Sequence, residues 1–169
     1  KYHWLKPIRL EQNSGPVVAR NKAVELAKGR FIAFLDIDDY WLPQKLSTQI
    51  PFMLRENCAL SFTDYRFVSE NGDMIGRRLS GLEKIGWHLH HMTRYLGCLT
   101  VVVDRDKVPD FQFPDLKTAR RAEDFVAWSH CIKKAGPALR CGHDLARYSV
   151  VQNSRSSVTR SSISSVWRL

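Results

Sequence analysis

The stretch FIAFLDIDDYWLPQKL, residues 31–46, decides the fold. Phe31 to Leu35 form an apolar run bounded by Gly29 and an acidic cluster, the pattern of a short buried strand. Asp36, Asp38 and Asp39 then place three carboxylates within four positions. Like charges this close oppose one another's ionisation, and each is costly to withdraw from water, so a positive partner has to compensate them.

Upstream, NSGPVVARNKAVELAKGR (residues 13–30) reads as a helix, with Ser14 or Gly15 as cap, Pro16 in the first turn and Gly29 as a left-handed stop. A helix followed by a buried strand points to an α/β sheet. A short strand is expected around Ile8 to Leu10. Downstream, WLPQKLSTQIPFMLREN (41–57) is a second helical pattern, with Leu42, Leu46, Ile50 and Met53 near one face. Pro43 suits its first turn, and Pro51 is expected to kink or divide it. Alternation around Asn71-Gly72 signals a hairpin. Residues 83–95 read as helix, CLTVVVDRD (98–106) as a second buried strand, and ALRCGHDLARYSVV (138–151) as a short hairpin or strand pair. RRAEDFVAWSHCIKKAG (120–136) is the clearest amphipathic helix, with Phe125, Trp128 and Ile132 on one face and Gly136 at its end.

The 169 residues suit one domain with a real core. No apolar run approaches the roughly 20 residues that span a bilayer. Cys58, Cys98, Cys131 and Cys141 are scattered without a CxxC pair, which favours reduced thiols in a cytoplasmic protein. A net charge of +9 favours anionic partners. From Leu145 to Leu169 there are four arginines, eight serines and no acidic residue, so residues 151–169 read as a Ser/Arg-rich tail beyond a domain of residues 1–150. An anionic membrane surface is one partner such a tail suits; a polar terminus is the plainer reading.

Ligand sites in open α/β sheets lie beyond the carboxyl ends of strands, where Asp36 and Asp38 fall. A hard divalent cation is the natural compensator, since magnesium or manganese takes one or two carboxylates plus substrate phosphates. The alternative is an acidic turn that caps the helix near Pro43, with Asp39 as cap. Glu123-Asp124, at the start of a helix, serve either as catalytic carboxylates or simply as complements to the helix dipole. Trp128 reads as core, and His88, His90 and His91 as surface or groove lining rather than as ligands. His143 is a minor candidate for approach to a metal.

The run NSGPVVARNKAVELAKGRFIAFLDIDDYWLPQKLSTQI resembles the centre of a family 2 glycosyltransferase of the GT-A fold. The pattern is N-x-G, A-R-N, a helix ending A-x-G, a strand, then F-L-D-x-D-D and W-x-P-x-K-L. It is carried here by Asn13, Gly15, Ala19-Arg20-Asn21, Ala27, Gly29, Phe34 to Asp39, Trp41, Pro43, Lys45 and Leu46. LTVVVDRD, RRAEDFVAW and LARY resemble later parts of short bacterial members, so the resemblance covers roughly residues 8–157. It implies a Rossmann-like nucleotide-diphospho-sugar transferase fold, a mixed sheet flanked by helices. The family's P-x-Y-N-type segment and D-D-G-S-type turn have no counterpart, so the fold is expected to be N-terminally incomplete, with exposed sheet edges.

The resemblance implies transfer of a sugar from a UDP- or GDP-type donor to a saccharide or lipid-linked acceptor hydroxyl, inverting and dependent on Mn or Mg, in bacterial surface polysaccharide synthesis. Asp36 and Asp38 would hold the metal, Arg20, Asn21, Asp36 and Asp39 the nucleotide side, Asp124 would be the base and Glu123 its helper. It also implies a cytoplasmic location, peripheral at the inner membrane face. Two other readings are a haloacid-dehalogenase-like phosphotransferase using Asp36, and a non-catalytic remnant or basic binding module. No nucleic-acid motif is present, and nucleic acid is not expected as a partner.

Overall fold

A computed structural model of the chain describes residues 5–93, 95–115 and 122–150. The expected tail, residues 151–169, lies outside the described residues. Helix α1 (Gly15–Leu26) leads into β1 (Phe31–Ala33). β2 (Tyr40–Trp41) and α2 (Lys45–Arg55) follow the acidic cluster. Next come β3 (Leu60–Val68), β4 (Met74–Leu79), β5 (Lys84–Ile85), α3 (Trp87–Met92), a 3-10 turn (Cys98–Thr100), β6 (Val101–Asp104), α4 (Glu123–Ala135) and β7 (Ala138–Ser149).

The strands form one mixed sheet in the order β1-β6-β3-β7-β2, with β4 added on β3 and β5 on β7. β3 and β7 run parallel; the other pairs are antiparallel. The parallel pair needs a crossover, which passes through β6 and α4. β3 is buried along most of its length and β6 throughout, as central strands covered on both faces should be. Asp64 is buried in β3 and accepts from Arg78 of β4 and from Arg140 of β7, whose Nη2 stands 2.6 Å away. One carboxylate thereby joins three strands, fully desolvated yet paired on both sides.

Phe34, Phe111, Phe113 and Trp128 interlock beneath the carboxyl end of β1, with ring centroids 4.9–6.0 Å apart. Trp128 is fully buried there, as its place on the apolar face of α4 led us to expect. Because Phe34 leads into the acidic turn and Trp128 rides one turn beyond Glu123-Asp124, this cluster sets the two acidic segments against each other.

Several elements depart from expectation. Residues 8–10 are not a strand. β1 ends at Ala33, and Leu35 is exposed. α1 stops at Ala27 in extended conformation rather than at a left-handed Gly29. Residues 83–95 hold the short β5 and one six-residue helix, and the expected hairpin at 138–151 is a single 12-residue strand. Its polar positions misled the reading, because Arg140, Asp144 and Arg147 are all taken up by ion pairs. The hairpin at Asn71-Gly72 forms, with Gly72 at φ 83° and its N–H on the Ser69 carbonyl at 2.9 Å.

Pro51 sits inside an unbroken α2. It is exposed, so water can satisfy the carbonyl it leaves without an N–H partner. The buried face of α2 is also not the apolar one expected: Lys45, Gln49 and Met53 point inward, spaced by four, while Leu46 is exposed. Lys45 Nζ donates to Gln49 Oε1 at 2.5 Å and to the Thr100 carbonyl at 3.3 Å, and lies 4.9 Å from the centre of the Trp41 ring.

Burial pulls the Lys45 ammonium down to about 7, with Cys141 opposing. Between about pH 7 and the ordinary lysine value the unfolded chain binds the extra proton, so folding stability rises with pH across that window. Urea unfolding at pH 6.5 and pH 8.0, below the range where the buried thiols titrate, is expected to show Lys45 adding on the order of 1 kcal/mol in the native chain, a gain that Lys45→Met should lack.

Candidate active site

The acidic cluster forms a turn at the carboxyl end of β1, closed by the Asp39 N–H on the Asp36 carbonyl at 3.1 Å. Three anchors fix it. Asp39 Oδ1 accepts the Ser149 N–H at 2.9 Å, β2 pairs with β7 at Tyr40–Arg147, and the Leu42 N–H reaches the Leu145 carbonyl at 3.0 Å. Asp39 therefore ties the turn to the end of β7 rather than capping the helix after Pro43. Burial raises its carboxyl to about 6, against the Ser149 N–H, which favours the anion.

Arg20, on α1, is the partner that the opening carboxylates demanded. Its Nη2 lies 2.7 and 3.0 Å from the two oxygens of Asp36, and its Nη1 lies 3.3 Å from Glu123 Oε1. A single guanidinium thus joins the acidic turn to the first turn of α4, 103 residues further along the chain. Its planar fork suits this double contact in a way a lysine could not match. The guanidinium also sits 5.5 Å from the centre of the Phe113 ring.

Asn21, beside it, turns away. Its amide donates to the Phe113 carbonyl and accepts the Phe113 N–H, both at 2.8 Å, so both polar ends are engaged by one backbone unit. That closes α1 onto the segment preceding α4. Asp124 is half-buried in the first turn of α4, where its Oδ1 accepts the Phe125 N–H at 2.7 Å. Burial lifts its carboxyl above the usual range; the Phe125 N–H and Arg20 oppose this, while Glu123 adds to it. Asp38 is exposed and makes no hydrogen bond or ion pair to any described residue.

Among the described residues no group of three or more His, Cys, Asp or Glu side chains could cage a metal. A hard cation bound through one or two carboxylates and completed by substrate phosphates needs no such cage. Asp38 fits that donor set as a free carboxylate facing solvent. Asp36 keeps further acceptor capacity, since a carboxylate has about four lone-pair sites. His143 is exposed on β7, six residues before Ser149, about 20 Å along an extended strand from the anchor of the acidic turn. His90 proves buried, stacked on Phe125 at 4.4 Å with Nε2 2.9 Å from the Phe125 carbonyl. It was expected on the surface or in a groove.

The sequence reading missed Cys98. It sits in the 3-10 turn before β6, close enough to feel Arg20, Asp36, Glu123 and Asp124. Burial pushes its thiol up to about 12; Arg20 pulls the other way and the three carboxylates add to the rise. Nothing in CLTVVVDRD distinguishes this cysteine from the apolar strand that follows it. All four cysteines are free thiols.

Replacing Arg20 by Met should leave Asp36 and Glu123 without their shared cation and lift Asp124 further, since Arg20 lowers it. Were Asp124 the catalytic base, it would then need higher pH to work ionised. The acid limb of the pH–rate profile is expected to move upward, and titration of the rate from pH 5 to 9 checks it.

The model of the glycosyl transferase family 2 matches residues 1–108, and the chain belongs to that family. It is 39% identical over 150 residues to TuaG of Bacillus subtilis, a glycosyltransferase assigned to teichuronic acid biosynthesis. It is 35% identical over 154 residues to WfgD of Escherichia coli, a UDP-Glc:α-D-GlcNAc-diphosphoundecaprenol β-1,3-glucosyltransferase. These matches cover 89% and 90% of the chain, which spans 58% of the length of either relative. The fold is similar to that of Staphylococcus aureus TarS solved with UDP-GlcNAc, with a TM-score of 0.63 and 21% identity over 89% of this chain and 43% of that one. The phosphotransferase reading falls with the family assignment, and it would also have required as nucleophile an Asp36 whose two oxygens are held by Arg20.

Proposed function

We propose that the chain carries the catalytic centre of an inverting, metal-dependent glycosyltransferase that moves a sugar from a UDP-type donor to a hydroxyl of a lipid-linked acceptor. The observation that carries this reading is the Arg20 bridge, which unites the acidic turn and the Glu123-Asp124 pair in one site. The relatives' lipid-linked and UDP substrates support the choice of donor and acceptor class.

In this reading Asp38, with Asp36 beside it, holds a Mg or Mn ion. When bound, that ion offsets the negative charge developing on the departing diphosphate. Arg20 holds Asp36 and Glu123 fixed in direction. Asp124 takes the proton from the acceptor hydroxyl as the new bond to the sugar's anomeric carbon forms and the bond to the diphosphate breaks. Its raised affinity for a proton suits a base working near neutral pH. Asn21 and Asp39 serve the nucleotide side by holding the walls, through the Phe113 backbone and Ser149.

The net charge of +9 suits work on anionic lipid-linked substrates at the cytoplasmic face of the inner membrane. Among the described residues no helix is long and apolar enough to cross a membrane. The test is incubation with UDP-glucose or UDP-GlcNAc, manganese and a diphosphoundecaprenol-linked sugar. Release of UDP with a product of inverted anomeric configuration is expected. A retained configuration would contradict the role given to Asp124.

A further inference from the structure

Three donors from the segment just after the acidic turn converge on two successive carbonyls of the 3-10 turn. Trp41 Nε1 donates to the Leu99 carbonyl at 2.7 Å. Lys45 Nζ and Gln49 Nε2 donate to the Thr100 carbonyl at 3.3 and 3.1 Å. Gln49 has no spare capacity: its second N–H goes to Ser61 Oγ at 2.8 Å and its oxygen accepts from Lys45. Lys45 and Gln49 are fully buried, an expensive position for an ammonium and an amide unless each donor is used. The turn is braced from within as well, by the Thr100 N–H and hydroxyl on the Gly97 carbonyl at 2.9 and 2.7 Å.

We propose that Trp41, Lys45 and Gln49 are positioning residues that clamp the Cys98–Thr100 turn as a wall beside Asp36 and the Glu123-Asp124 pair. None of the three joins the hydrogen bonds and ion pairs of the acidic centre; they act through the turn. The W-x-P-x-K stretch follows the acidic turn at a fixed distance because one rigid unit, β2 and α2, has to place the acidic carboxylates and this wall together. The functional consequence rests on the glycosyltransferase reading. The clamp itself does not.

Cys98 reports on the turn directly. It is half-buried, whereas Cys58, Cys131 and Cys141 are buried and report on opening of the whole fold. Gln49→Glu keeps the side chain's shape and can pair with Lys45, but it offers no N–H to Thr100 or Ser61. Alkylation by iodoacetamide without nucleotide, read cysteine by cysteine by mass spectrometry, is expected to run about tenfold or more faster at Cys98 in Gln49→Glu and Lys45→Met. Cys131 should keep the native rate in Gln49→Glu. A native Cys98 rate in Gln49→Glu, or one that rises only in step with Cys131, would overturn the clamp. Slowing of Cys98 alkylation in the native chain by UDP with manganese tests the donor site separately, so the two readings fail by different signals.

Discussion

Asp124→Asn is expected to lower the turnover number for sugar transfer by about 10²–10⁴-fold, the range that general-base catalysis contributes. Asparagine keeps an oxygen to accept the Phe125 N–H, so that contact in the first turn of α4 survives. It also removes a carboxylate that burial already disfavours as an anion, so no loss of stability is expected. The substitution therefore separates chemistry from folding. Radiolabelled transfer measured beside a thermal melt reads both. Full activity from a folded Asp124→Asn chain would move the base elsewhere, with Glu123, held in place by Arg20, first in line.

The second large effect belongs to Asp38. Its side chain touches no described residue through a hydrogen bond or ion pair, so Asp38→Ala should leave the melting temperature unchanged. Donor binding in manganese should nonetheless weaken by roughly a hundredfold, about 2.7 kcal/mol, because a charged ligand is lost from a cation that has few. Asp36→Ala makes a useful contrast. It also frees Arg20 from its shorter contact, so both stability and donor binding should fall. If Asp38→Ala binds donor as the native chain does, the metal belongs on Asp36 or is not used.

Much of this site was legible before the structure, because the residues that carry it are local punctuation. The buried strand, the acidic turn and the acidic start of α4 each follow from short patterns of burial and charge. The resemblance named Arg20, Asp36 and Glu123 among its site residues, and the structure brings the three into contact. What escaped the reading was long-range and polar. Lys45 and Gln49 looked like the solvent face of α2, because a periodicity count assigns polar residues outward; the Thr100 carbonyl 55 residues away reverses that. β7 looked like two short strands for the same reason, since its arginines and Asp144 find partners on β3 and within β7 itself. Asn21 sits next to Arg20 and yet faces another segment, because successive helix positions point about 100° apart.

The account's central claim is that the acidic turn closing β1 is one half of a metal–diphosphate clamp. Calorimetric titration of the 169-residue chain with UDP, in manganese and again in excess chelator, tests it most directly. The account predicts binding in manganese that disappears with the chelator and with Asp38→Ala. Equal binding with and without the metal, or none by a chain shown to be folded, would contradict it.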